Sequence, residues 1–435
     1  MIIDDEQQLK LITSDSVYLY PVLLDDRLHK HHNPIIAFII IDMDTRKSYC
    51  IANGHPDGIY NTKDLTFLKG RKVYCYNIAA FEYAGYDTTS YVDLNMLYYL
   101  QTNQGYNQEI DGLTQRYTRL YQSCHKINAL IPLGKHEETA NKILNNIWIK
   151  DGVHGLTFYQ QDLRLAFHNI EKNGLAVVEK DFDIRFGKNL SSVGSTAYTE
   201  YNYYTTTGRP SNRFGGINYA ALTKEDDTRS LFISKNAVNG LLLELDFNAY
   251  HPRLIASIVD YDFGNNNVYE HLATYYANTP TPTKKQIVEA KEATFRQLYG
   301  GIQQQYKHIP FFAKTYNLAM HLWDTMNTVG YIESPISGRR LQLTNFKDIN
   351  AGVVLNYFIQ MYETESNVLI LSKIHKLLDG YITKPVLYTY DSILFDVERS
   401  ELEYLRNTVI PQSIDINKFP IKVSVGNTYN SLVVS

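Results

Sequence analysis

GLLLELDFNAYHPRLIASIVDYDFG, residues 240–264, decides the reading of this chain. Leu241–Leu245 is an unbroken apolar run, the pattern of a fully buried strand, and it leads directly into an acid, Asp246. A turn-like segment follows, and Arg253-Leu254-Ile255-Ala256 has the composition of a helix start. A carboxylate at the end of a buried strand is where an α/β core presents a hard-oxygen metal ligand, although such an acid equally serves to cap the next helix. Asp391 adds weight to the metal reading. In VLYTYDSILFDV, residues 386–397, two β-rich runs flank Tyr390-Asp391-Ser392 as a tight hairpin does. Two separated strand-end carboxylates that converge are what a two-metal phosphoryl-transfer site requires.

The rest of the chain sets the bounds. At 435 residues it has room for two or three domains, and 44% hydrophobic with 20% charged residues is an ordinary globular composition. No segment has the apolar length of a membrane span, and the start, MIIDDEQQLK, does not read as a signal peptide. Cys50, Cys75 and Cys124 lack metal spacing, and their odd number suits a reducing compartment. A net charge of −4 means that a phosphate-binding surface has to be a local basic groove. The 36 tyrosines are better explained by an A/T-rich coding sequence than by base-stacking platforms.

Residues 17–24, 34–42, 48–52 and 71–76 are strand-like, and Tyr91–Leu100 reads as a helix. Three histidines at 29, 31 and 32 lack the Cys or carboxylate partners of a metal site. A further helical piece is expected at 113–121, and Ile131-Pro132-Leu133-Gly134 reads as a linker. Beyond it, 136–149, 156–171, 267–276, 284–300, 311–329 and 349–377 read as helices, with a hairpin at 331–343 and a closing segment at 421–430. On the 284–300 helix Lys291, Phe295 and Tyr299 stand four apart, on one face.

Asp246, Asp391, this helix face and arginines at 209, 253, 339 and 340 form a constellation suited to phosphoryl transfer, which asks a protein for metals, cations and strict positioning. Singly, each has a bland reading: Lys291 a solvated lysine, Phe295 and Tyr299 core residues, Arg339-Arg340 a polar turn. Order and spacing decide. Thr207-Gly208-Arg209, LDFNAYHPR, KEATFRQLYG and TYDSILFDV together resemble the ordered motifs of family A DNA polymerases, the bacterial polymerase I-like group. Asp246 and Arg253 match its first palm motif, and Lys291, Phe295, Tyr299 and Gly300 match its fingers-helix motif. Of its His-Asp-Glu hairpin only Asp391 is kept. Asn356 and Gln360 are similar to its Asn-x₃-Gln pair, and Gly338-Arg339-Arg340 to its Gly-Arg-Arg turn. The resemblance covers roughly residues 150–435.

The departures bear on sugar choice. His251 stands where the family has a Glu that screens the 2′ side of the incoming sugar, and Arg296 replaces a Gly. Ile287 falls on the family's first fingers Arg, with Lys284 and Lys285 nearby. Tyr390 and Ser392 replace the His and Glu beside Asp391, and an Asp-Ser pair is also what related single-subunit RNA polymerases carry. The N-terminal part is similar to the family's 3′–5′ exonuclease domain with its acids gone. Tyr20 and Val22 stand near the expected Asp-x-Glu, and Phe81, with Glu82 beside it, at the next acid. Asp42, Asp44 and Asp93 do not fit the pattern. Without paired carboxylates a two-metal nuclease cannot hold its ions.

The resemblance therefore implies an α+β / α/β multidomain fold. Residues 1–135 would be a degenerate, RNase H-like exonuclease domain and 136–435 a right-hand polymerase domain. Its thumb is expected at about 150–204, its palm at 205–262 and 335–435, and its fingers at 263–334. The implied activity is template-directed addition of dNTPs to a primer 3′-hydroxyl, without proofreading. Asp246, Asp391 and the Phe247 carbonyl would hold two Mg²⁺ ions, with Mn²⁺ as a substitute. Lys291, Phe295, Tyr299, His251, Arg253 and Lys285 would meet the dNTP, and Arg209, Arg339, Arg340, Asn356 and Gln360 the primer–template. Primed DNA, dNTPs and replication accessory proteins (helicase, primase, single-strand-binding protein) are the implied partners, with no membrane. Small size and a Tyr/Asn-rich composition point to a viral protein acting in the host cytoplasm. The alternatives are a primase-like or mixed-sugar polymerase and a non-catalytic, nucleic-acid-binding relative.

Overall fold

The computed structural model describes residues 1–106, 116–117, 119–148, 157–187, 192–264 and 267–435. The helix expected at 113–121 lies partly outside them, at 113–115 and 118. The chain divides into two compact units, Met1–His154 with Lys188–Val193, and Gly155–Gly187 with Gly194–Ser435.

The first unit is built on one mixed sheet. Its strands are β1 (Ser16–Leu23), β2 (Ile35–Asp42), β3 (Ser48–Ala52), β4 (Lys72–Cys75) and β5 (Tyr91–Asp93), in the order β3-β2-β1-β4-β5. β1 pairs antiparallel with β2 and parallel with β4. The apolar run of β2 is buried at every residue because both faces of the sheet are covered. Phe38 and Ile40 join Val17, Leu19 and Phe81 on one side, whereas Ile39 and Ile41 join Tyr18 and Val22 on the other.

That second side is closed by helix α1 (Leu133–Ile147), whose Ala140, Ile143, Leu144 and Ile147 are fully buried. The expected linker at 131–134 is therefore part of the unit: Pro132 caps the helix and Leu133 is buried in the same cluster. The helix expected over Tyr91–Leu100 is split, because Tyr91–Asp93 pairs with β4 before Asp93 caps a helix from Leu94 by accepting the Met96 N–H at 3.0 Å.

The second unit centres on an antiparallel sheet of β6 (Gly240–Phe247), β7 (Lys384–Tyr388), β8 (Ser392–Glu398), β9 (Ile421–Gly426) and β10 (Val433–Val434), in the order β7-β8-β6-β9-β10. The opening stretch thus supplies the middle strand. Helices α2 (Tyr250–Ile258), α3 (Val268–Tyr276), α4 (Lys284–Gly300), α5 (Pro310–Val329) and α6 (Ala351–Leu377) share one apolar core that includes Ile255, Leu272, Leu298, Phe311, Phe312 and Phe358. Thr283 and Gln286 form a reciprocal capping box that starts α4. α6 has no single apolar face, as befits a helix enclosed by α4, α5 and the 157–173 helix.

Candidate active site

The sheet brings the two acids together. Asp246 lies opposite Ser392 in the β6–β8 register, and the Phe247 N–H donates to the Asp391 carbonyl at 2.9 Å. β6 then turns through Ala249, in the left-handed region at φ 52°, so that α2 starts at once and delivers His251 beside the strand end. Across the sheet the Asp391 hairpin is equally tight. Tyr390 sits at φ +67°, a strained conformation for a non-glycine residue. Thr389 and Ser392 close the turn through their hydroxyls at 2.5 Å and through the Thr389 N–H to the Ser392 carbonyl at 2.9 Å.

Both carboxyls face a cavity of about 460 Å³, within the range of small-molecule sites. Its wall includes Arg209, Phe247, His251, Tyr269, Lys291, Phe295, Tyr299, Glu363 and Lys422. Burial, then the charges of Asp391 and Glu244, push the Asp246 carboxyl up to about 6, against the pull of Lys422 and Lys224. Burial also raises Asp391; Glu363 adds to this, and His251 and Arg209 oppose it. The opposite wall is the expected face of α4. Phe295 and Tyr299 stack at 5.8 Å with planes 5° apart, and the Lys291 ammonium stands 5.6 Å from the Tyr269 ring centre.

Several expected residues lie elsewhere. Arg253, expected to meet the triphosphate, is buried in α2 and does not line the cavity. Lys285 is exposed and faces Glu289 at 3.9 Å, one turn along α4. Arg339, expected on the primer–template surface, is 2% exposed, and its guanidinium donates to the Thr205 and Thr206 carbonyls. Arg340 stays at the surface, 3.0 Å from Glu333 and over the Tyr331 ring. Gln360 donates to Asn356 at 2.9 Å and accepts from Thr207 at 3.2 Å. In the first unit Tyr20 stacks on Tyr76 at 5.9 Å, Phe81 is buried in apolar surroundings, and Glu82 accepts from Thr88. Asp42 accepts the N–H groups of Ser14, Asp44 and Thr45. Among the described residues, no group of three or more His, Cys, Asp or Glu side chains is arranged to hold a metal.

Sequence reading missed Glu363, Asn367 and Lys422. Glu363 is 1% exposed; its carboxylate lies 2.9 Å from His251 Nε2 and 3.2 Å from Arg209 Nε, close contacts without hydrogen-bond alignment. Arg209 also covers the Tyr390 ring at 3.9 Å. Asn367 accepts from the Tyr250 hydroxyl at 2.7 Å and donates to the Tyr388 hydroxyl at 2.9 Å and the Tyr390 carbonyl at 2.8 Å. A signal was present: Asn356, Gln360, Glu363 and Asn367 are spaced 4, 3 and 4 apart, a polar stripe down one face of an apolar helix.

The chain is similar in structure to the POL domain of Pol1 from M. smegmatis, solved in complex with DNA primer-template and dNTP. The TM-score is 0.71 at 12% sequence identity, and 99% of each chain is covered. It has the fold of that POL domain. No family model and no curated protein matches the chain. Among the described residues, no helix is long and apolar enough to cross a membrane.

Proposed function

We propose that this protein is a template-directed DNA polymerase of the family A type that extends a primer 3′-hydroxyl with dNTPs. The observation that carries the reading is one cavity that gathers Asp246 and Asp391 on one wall and Lys291, Phe295 and Tyr299 on the other. Asp246, Asp391 and the Phe247 carbonyl offer hard oxygens and no soft donor. The two carboxyls, raised by burial and by neighbouring negative charge, are in the state that a divalent cation relieves. The donor set fits Mg²⁺, with Mn²⁺ as a substitute. Bound there, the ions supply charge neutralisation at the primer hydroxyl and the phosphates.

The protein's own groups do the positioning. Lys291 meets the phosphates as a point charge, and the Phe295–Tyr299 stack takes the sugar and base. Arg209, fixed between Glu363 and Tyr390, meets the primer end, and Arg340, Asn356 and Gln360 serve the primer–template duplex. The first unit is read as a degenerate exonuclease-like domain without nuclease activity. Its support is that Tyr20, Val22 and Phe81 hold the positions of the expected acids, while Asp42 and Asp93 are engaged as backbone caps.

Primer extension with Mg²⁺, run with dNTPs and rNTPs separately beside Asp391→Asn, tests this. Extension with dNTPs that the substitution abolishes is expected. Tight primer–template binding without extension by the wild type would turn the reading to a non-catalytic binding subunit.

A further inference from the structure

We propose that Glu363 is a positioning residue for sugar selection. It holds His251 against Tyr299 on the wall of the nucleotide cavity and thereby sets the preference for deoxyribose over ribose. The inference rests on the polymerase reading above and adds to it a residue and a role.

Glu363 is 1% exposed in the middle of α6, and a carboxylate buried to that degree is costly unless cations answer it. Arg209 answers it at one carboxylate oxygen, and His251 of α2 stands at the other. The other nitrogen of His251, Nδ1, meets the Tyr299 hydroxyl. Burial pushes that phenol up to about 12, so it keeps its proton; donating to Nδ1, it would leave the ring proton on Nε2, 2.9 Å from Glu363. The imidazole is thus held at both ends.

The place is the sugar's. Lys291 and Tyr299 are eight residues apart on α4, about 12 Å along the helix. A nucleotide whose phosphates meet Lys291 brings its sugar and base to the Tyr299 end, where His251 stands edge-on to the ring at 5.8 Å. A ring locked there leaves no room for an added hydroxyl; a ring free to rotate does. Glu363 has a rival role, as a third carboxylate for the metals. Its contacts with His251 and Arg209 argue for the positioning role.

The test is single-nucleotide incorporation by the full chain, with kcat and KM measured for a dNTP and its rNTP in wild type, Glu363→Gln, Glu363→Asp, His251→Ala and the Glu363→Gln/His251→Ala pair. Glu363→Gln is expected to lower dNTP-over-rNTP discrimination about tenfold, through KM for the two sugars, as loss of one positioned polar contact does. Glu363→Asp should restore part of it. The double variant should be no worse than His251→Ala, because one residue acts through the other. Should Glu363→Gln fail to fold, Tyr299→Phe, which frees Nδ1 and keeps the ring, must lower discrimination as well. Unchanged discrimination in an active Glu363→Gln, or additive losses in the pair, overturns the positioning role alone. A collapse of kcat for both sugars with an altered Mg²⁺ requirement overturns it in favour of the metal role. A wild type that extends with neither sugar overturns the polymerase reading and this inference with it.

Discussion

Asn367→Ala should disable the Asp391 hairpin more than it destabilises the fold. Asn367 is 1% exposed, and its amide makes three hydrogen bonds, to the Tyr250 and Tyr388 hydroxyls and to the carbonyl of Tyr390. Alanine leaves all three partners unanswered. At about 1 kcal/mol net for each lost bond, and more where a buried group is orphaned, the gross loss is about 3–5 kcal/mol. Part of that returns. Tyr390 is held at φ +67° by the contact that is lost, and relaxing such a residue recovers about 1–3 kcal/mol. The net loss is therefore about 2 kcal/mol, but the relaxation moves Asp391, the next residue in the turn. A displacement of about 1 Å at a reacting group costs about 100-fold in rate. Urea unfolding and primer extension, measured on one preparation below its unfolding midpoint, separate the two effects. Asn367→Asp, which loses both donors and sets an unanswered carboxylate against the Tyr390 carbonyl, should be at least as damaging as alanine. An alanine variant that is destabilised by about 2 kcal/mol yet extends primers within about threefold of wild type would refute the reasoning, since the turn would then hold Asp391 without the amide.

Three further outcomes are expected. Metal-free protein should lose stability as pH rises from about 4 to 6. The folded Asp246 carboxyl titrates near 6, above its unfolded value, so its penalty is absent below pH 4 and complete above 6; Asp246→Asn should remove about 1 kcal/mol of that slope, discounted for its partial exposure. Denaturation across that range checks it, and superimposable profiles for the two proteins would count against it. Arg339→Ala should cost about 3 kcal/mol or more and Arg340→Ala under 1, because only Arg339 is buried beside the buried Glu365. Salt-dependent primer–template binding should weaken for Arg340→Ala alone. Ser392→Ala should leave the dNTP-to-rNTP ratio within about twofold and cost about 1 kcal/mol, since the hydroxyl closes the turn on Thr389 and does not line the cavity.

What could be read from the sequence was what periodicity and local chemistry govern. The strand into Asp246 is an apolar run, and α4 carries Lys291, Phe295 and Tyr299 at a helical interval, so both elements followed from spacing, while their meeting in one site was expected only from the ordered family resemblance. Where polar residues end up depends on packing between distant segments, which spacing does not encode. Gly-Arg-Arg reads as an exposed turn, yet the Thr205–Thr206 loop, more than 130 residues earlier, buries one of its arginines. Pro132 and Gly134 read as a break, yet Leu133 and the apolar residues after it lock that segment onto the first sheet. Arg253 has the expected spacing from Asp246, but α2 turns it into the protein and away from the cavity.

α6 shows why the site's supporting residues are harder to find than its walls. A helix enclosed by other helices gains most from apolar side chains all round, yet α6 also buries Glu363, Thr364, Glu365, Asn367 and Ser372, and among its polar residues Asn356, Gln360, Glu363 and Asn367 share one face. Their contacts explain their presence. Asn367 holds the left-handed Tyr390 in place, and Glu363 draws His251 and Arg209 in from two other elements. Gln360 ties Asn356 to the Thr207 loop that carries Arg209. The two carboxylates and the Lys291–Tyr299 face of α4 are thus the visible part of a site whose geometry is set one layer deeper, by polar residues along one face of α6.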